Sequence, residues 1–212
     1  LQEIEESGDT PKLRVPVDFR MNTERFEAIK SSRVRFTSLA TTNDNRYEPC
    51  IDELEVFAAG TTKNVALASL GVVATSSGNS GDSGKHQLKH VNDGQTSNDR
   101  SWISSEKGKG WVQLDFNEPV VIDRIVWGRD RTGKFKDRLP IHYEIEVGDE
   151  QGNWKTVAGS SDRLPFGIKF DEASTRLRNA AGGAKTDLIE VVQALKKLET
   201  QRADLEKKEM AY

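Results

Sequence analysis

The chain is poor in several residue types, and each shortage removes a class of chemistry. It holds one cysteine, Cys50, among 212 residues. That excludes an internal disulfide and a cysteine-rich zinc site. Three histidines are too few for a multi-histidine metal centre with ligands to spare. No apolar run approaches the ~20 residues that cross a bilayer, and no basic n-region leads into an apolar h-region as a signal peptide requires. Charge of one sign is missing too: 31 Lys+Arg against 34 Asp+Glu leave a formal −3, so no chain-wide basic field for nucleic acid exists. Catalytic grammar is equally scarce, with no G-x-S-x-G elbow, Walker loop or H-E-x-x-H pair. The run Asp93–Asp99 opens like an EF-hand loop but carries Asn98 where glycine is needed and Ser104 where glutamate is needed. An enzyme is not expected.

What is present argues for a folded core with appendages. Hydrophobic residues make up 35% and charged residues 31%, yet four Trp, eight Phe and well-formed apolar runs speak against wholesale disorder. From Leu13, alternation of Leu13, Val15, Val17 and Phe19 predicts a strand, with Pro16 making it an edge. Further strands are predicted at Arg33–Leu39, Ile51–Ala58, Asn64–Ser69, Trp111–Phe116, Val120–Trp127, Ile141–Val147 and Trp154–Ala158. In the second of these Leu54, Val56 and Ala58 face inward and Glu53 and Glu55 outward. Short strands without intervening helices, punctuated by Gly, Asn and Asp, predict an all-β antiparallel sandwich. Two loops are long: Ser76–Arg100, rich in Ser, Gly, Asn and Asp, and Gly128–Arg138, which packs five cations into Arg129–Arg138. Long loops on a sheet scaffold are where function concentrates.

The tail differs. After Gly182-Gly183 the segment lacks Pro and Gly up to Met210. Leu188, Val191, Leu195, Leu198 and Leu205 follow a heptad seam interrupted by Arg202. This predicts an amphipathic helix over 185–212, able to pack on the sandwich, on a neighbouring domain or in a coiled coil. Opening on Leu1 suggests a piece of something longer.

Several motifs occur together in a fixed order: Asp93-Gly94, Trp102, the WVQLDF strand Trp111–Phe116, Ile122–Val126, Tyr143–Val147 and Trp154–Val157. Over Asn64–Ala158 this order resembles the discoidin family, which includes the C domains of coagulation factors V and VIII and family 32 carbohydrate-binding modules. The resemblance implies a galactose-binding-like jelly-roll β-sandwich. The family ends on an R-Y-V-R-L and an E-L-E-V-F strand, which nothing after Ala158 supplies. Arg33–Phe36 and Glu53–Phe57 supply them at the front instead. The simplest account is a circularly permuted sandwich. A cut across two tandem domains is the other, and a strand exchanged between chains would satisfy the same pattern. The expected organisation is a lead-in at 1–12, the sandwich at 13–170 (13–60 giving the family's C-terminal strands, 61–160 the rest), a linker at 171–184 and the helix.

The resemblance also implies function. It points to a non-catalytic carbohydrate-binding module of a larger exported bacterial protein, periplasmic, secreted or at the cell surface, with the ligand taken by loops at one end of the sandwich. Trp102 is the expected stacking face, with Arg129, Arg131, Lys136, Arg138 and His86 as planar or cationic donors, and the cation density favours an acidic or sulfated glycan. Membrane insertion is not expected, since Phe135 is the only apolar loop tip. Many discoidin modules hold a structural Ca²⁺. Carried over, Asp93 and Glu53 give carboxylates, His90 and Gln95 backbone carbonyls, and Ser101 a further oxygen. Each has a plainer alternative: Trp102 as core, the arginines as surface ion pairs, Asp93 as an Asx-turn residue and Glu53 as a surface charge. Cys50 reads as a buried structural thiol. The competing function is a structural or protein–protein module that positions neighbouring domains of the parent chain.

Overall fold

The computed structural model describes residues 14–80 and 84–167. The expected lead-in at 1–12, linker at 171–184 and helix at 185–212 lie outside these residues. Eight strands are described: β1 (Asn22–Thr41), β2 (Cys50–Ile51), β3 (Glu53–Ala58), β4 (Val73–Ser76), β5 (Trp102–Ile103), β6 (Gly110–Gly128), β7 (Pro140–Gly148) and β8 (Trp154–Gly159). The main sheet runs β3-β6-β1-β7-β8 with β4 also paired to β6, while β2 and β5 form a separate pair.

Two long strands explain how one sheet closes into a sandwich. β1 pairs with β6 along nearly its whole length: Asn22–Ser31 against Val120–Trp127, then Arg33–Ser38 against Gly110–Asp115. Between these stretches β6 carries the extra residues Phe116–Pro119, so the ladder is interrupted and both strands bend. The first stretch is flanked by β3. The second is flanked by β4 on one side and by β7, then β8, on the other. The two halves face each other. Trp127, from the first, lies 4.8 Å edge-on to Phe36 and 4.9 Å from Tyr143, both from the second. Phe36 and Tyr143 stack at 5.2 Å. All three rings are buried, each adding about 1.5–3 kcal/mol of burial. The Tyr143 hydroxyl donates to the buried Glu24 carboxylate at 2.5 Å, a polar tie beside the three rings.

The expected strands Arg33–Leu39, Trp111–Phe116, Val120–Trp127, Ile141–Val147 and Trp154–Ala158 all fall within observed strands. Others differ, for local reasons. The alternation starting at Leu13 does not give a strand at Val15–Phe19. Pro16 has no donor for a ladder, and Asp18 turns the chain by accepting from Arg20 N and holding the Asn22 side chain through its carbonyl. Asn64–Ser69 forms only an isolated bridge at Asn64 and a 3-10 turn from Ala68. Conversely Asn22–Ser32, which lacks a period-two alternation, belongs to β1.

By packing, the described residues from Val17 to Ser161 make one unit, and residues 14–16 with 162–167 belong to another. In the described part of the second unit, Arg14 N donates to Asp162 O and Leu164 N to Arg14 O. The Arg14 guanidinium pairs with the Asp162 carboxylate at 2.6 Å.

Candidate binding loops and cation site

The basic loop leaves β6 and winds round a single carboxylate. Asp130 is fully buried. Its Oδ1 accepts from Thr132 N at 3.0 Å and Thr132 Oγ1 at 2.6 Å, and its Oδ2 accepts from Lys134 N at 3.0 Å and Phe135 N at 2.9 Å. Burial works against its charge, but the Thr132 and Phe135 hydrogen bonds outweigh it and hold the carboxyl below its ordinary value. Gly133 takes φ +79°, and a Cβ there would lie 2.4 Å from Arg20 Nε, so the turn demands glycine.

Arg129 locks the loop to its neighbours. It is 2% exposed. Its Nε donates to Asp137 O at 2.7 Å, Nη2 to Asp137 Oδ1 at 2.9 Å and Nη1 to Asn98 Oδ1 at 2.8 Å. Arg129 and Asp130 both give their N–H to Phe19 O. Arg131 donates its N–H to Asp52 Oδ2 at 2.7 Å and its guanidinium to Glu55. Arg138 pairs with Glu48 and lies 5.0 Å from the Tyr47 ring centre. Lys134 and Lys136 are exposed, over Phe135 at 5.3 Å and Phe19 at 4.8 Å.

Two expectations are corrected here. Trp102 is fully buried and donates Nε1 to Gly78 O at 3.0 Å, so it is core and offers no stacking face. Arg129 has spent its donors within the protein, so it positions the loop and presents nothing outward. Arg131 and Arg138 are half-buried and carboxylate-paired. His86 is half-buried with Nδ1 2.8 Å from Ser101 Oγ. Of the six expected ligand residues, Lys136 stands out toward solvent. The organising roles of Asp130 and Asp52 were missed. An Asx-turn signal, Asp-x-Thr-Gly, could have found the first, whereas nothing local marks Asp52.

The expected cation residues split in the same way. Glu53 does not face solvent as its place in the alternation suggested: it is 1% exposed. It points from β3 at the loop that begins with Val91, whose carbonyl accepts from Leu54 N. Glu53 Oε1 accepts from Gly94 N at 3.0 Å, while Oε2 is buried without a partner. Burial, reinforced by Asp93, Glu55 and Asp52, pushes the carboxyl up to about 8. Asp93 Oδ1 accepts from Gln95 N at 2.8 Å, closing the expected Asx-turn, and Oδ2 pairs with Arg100. The His90 ring is buried, with Nδ1 3.1 Å from Lys85 O. Ser101 Oγ donates to Asn98 O at 2.8 Å. Among the described residues no three His, Cys, Asp or Glu side chains gather as a metal site.

Asp52, the neighbour of Glu53, faces the other way. Its Oδ2 holds the Arg131 N–H, its Oδ1 is buried without a partner, and burial raises its carboxyl to about 6.

The family model for the F5/8 type C domain matches residues 72–180. This chain belongs to the F5/8 type C, or discoidin, family. The β-sandwich described above is that family's architecture, and the family's domains are in general non-catalytic modules that bind carbohydrates or proteins. No curated protein and no solved structure gives a significant match.

Proposed function

We propose that the chain is a carbohydrate-binding F5/8 type C module, and that the loops at the Gly128–Arg138 end take an acidic or sulfated glycan. One observation carries the reading. Asp130 and Arg129 rigidify this loop from inside, so that Lys134 and Lys136 stand exposed beside the half-buried rings of Phe135 and Phe19. Preorganised cations next to apolar ring faces suit a sulfate or carboxylate on a sugar ring. Export to the periplasm, cell surface or medium, within a larger bacterial protein, is part of the same proposal, as is a circular permutation. The permutation is supported by β1 and β3, from the front of the chain, pairing with β6 and β7 of the same chain.

A structural Ca²⁺ at the Glu53–Asp93 corner is part of the same proposal. The unpartnered, buried Glu53 Oε2 is a hard oxygen in search of a counter-charge, and the adjacent Asp93 carboxylate is of the same type. Glu53 and Asp93 would hold the ion, with backbone carbonyls near His90 and Gln95 and a further oxygen of Ser101 completing its shell. The ion would supply charge neutralisation that ties β3 to the Asp93 loop.

The test is binding of the chain to heparin, chondroitin sulfate and polygalacturonate by calorimetry. Retention weakened at least five-fold in Lys136→Ala with an unchanged melting midpoint is the expected result. No binding to any of the three, alongside capture of a neighbouring domain of the parent chain, would move the function to a scaffold. The internal pairing of Arg129, Arg131 and Arg138 is what favours that second reading.

A further inference from the structure

Away from the loop end, the outer face of the half-sheet β4-β6-β1-β7-β8 carries an organised aromatic surface. Strand alternation places it there. Val34 and Phe36 of β1, Val112 and Leu114 of β6, and Tyr143, Ile145 and Val147 of β7 point inward and are buried. Their neighbours Arg33, Arg35, Trp111, Gln113, Glu144 and Glu146 therefore point outward. Register aligns Gln113, Arg35, Glu146 and Thr156 in one row across four strands.

On that row Arg35 lies between two indoles, 5.1 Å from the Trp111 ring centre and 4.3 Å from that of Trp154. Arg35 Nε and Nη2 both donate to Gln113 Oε1, at 3.2 Å and 2.7 Å, and fix the guanidinium plane. Gln113 is itself held by Asp115 at 2.9 Å. Trp154 belongs to β8 yet reaches Arg35 on β1, so its indole lies across the intervening β7. Gly148 makes this close approach feasible, because a Cβ there would sit 2.5 Å from Arg33 Cγ and 3.3 Å from Trp154 Cε3. The result is an indole–guanidinium–indole shelf in which Arg35 lies over part of each ring and both Trp residues are half-buried.

We infer that this shelf is a second glycan-binding surface, separate from the loop end, and that it takes a neutral polysaccharide chain. The indole surface that Arg35 leaves open offers apolar contact for sugar C–H groups, and Arg35 Nη1 and the Glu146 carboxylate supply directional partners for hydroxyls. Charge selects the class of sugar. On this face Arg33 pairs with Asp115 at 3.8 Å and Arg35 stands opposite Glu146, so its charges nearly balance and hold no strong attraction for a polyanion, while Glu144 and Glu146 accept from neutral hydroxyls. The loop end instead displays exposed cations, so the two surfaces divide ligand chemistry between them.

Native electrophoresis of the whole chain through gels holding galactomannan, glucomannan, hydroxyethylcellulose or arabinogalactan tests this. Retardation by at least one polymer is expected, weakened ten-fold or more in Trp154→Ala and unaffected by Lys136→Ala. Because Trp154→Ala also removes stacking from Arg35, Trp154→Phe serves as the folded control and is expected to retain part of the binding. Retardation by none of the four overturns the inference, as does retardation equal in wild type and both Trp154 variants. A dimer on size exclusion that Trp154→Ala dissociates also overturns it, since the shelf would then face a second copy. Heparin binding in the same samples reports the loop end separately, so loss of one reading leaves the other intact.

Discussion

The Gly128–Arg138 loop and the Glu53–Asp93 corner are both dense in charge and lie on either side of β3, but they settle their charges differently. In the loop, Asp130 accepts four hydrogen bonds and Arg129 is met by Asp137 and Asn98. At the corner, the two carboxylates are close enough to raise Glu53, and one oxygen of Glu53 has no partner. The bend at Asp52, between β2 and β3, lets neighbours differ so much: Asp52 turns toward the loop and Glu53 toward the corner. A region that closes its own charges is a scaffold for whatever it displays. A region that does not is where an external cation acts on stability.

Breaking the closed side is expected to cost most. Arg129→Ala removes its hydrogen bonds to Asp137 and Asn98 and leaves a void beside Cys50, a loss of about 3 kcal/mol by the measure of hydrogen bonds to a charged group at about 1.5–3 kcal/mol each. Urea unfolding would show it, and an unchanged midpoint would sink the locking role of Arg129.

The open side should respond in the opposite direction. Glu53 titrates near 8 in the fold against an ordinary 4.5, so its charged form is disfavoured by folding. Its contribution to stability is complete below about pH 4.5 and lost as pH rises through about 8. Glu53→Gln is therefore expected to stabilise the metal-free protein at pH 8, by about 2 kcal/mol, and to flatten the fall in melting midpoint between pH 5 and 8. Ca²⁺ is expected to raise the wild-type midpoint at pH 8 and to leave Glu53→Gln unmoved. A Ca²⁺ shift of equal size in both proteins would remove Glu53 from the site.

Asp52 gives a smaller version of the same effect. Its value of about 6 against 3.8 means a contribution present below about pH 4 and lost by about pH 6. Asp52→Asn keeps an acceptor for Arg131 N–H and is expected to stabilise by about 1 kcal/mol at pH 7, read from chemical denaturation. The smallest stability effect belongs to Lys136→Ala, within about 0.5 kcal/mol as for exposed residues generally, though its glycan binding should drop.

Much of the fold was legible in the sequence because the sandwich core alternates. Tyr143, Ile145 and Val147 against His142, Glu144 and Glu146 leave little choice of face, and buried one-sided strands fix their own register. Asn22–Ser32 was not legible, since Thr23, Phe26 and Ile29 recur every third residue and not every second among Glu, Arg, Ala and Lys, and pairing with Val120–Trp127 imposes the conformation. The candidate site was half legible. Asp93-Gly94 announced its turn, and the cation density of Arg129–Arg138 is plain in the letters. Which of those cations would be consumed internally was not: Arg129 and Lys136 look alike in sequence, and only one faces solvent.

The sequence by itself determined the β class, the order of the strand motifs and the family, because alternation and turn residues act over a few neighbouring positions. The tertiary structure alone decided that Trp102 is core, that Glu53 lies buried against Asp93 and Gly94, and that Trp111, Arg35 and Trp154 meet on one face. Those outcomes depend on strands far apart in sequence coming into register, where burial and partner geometry, rather than residue type, set what a side chain can do.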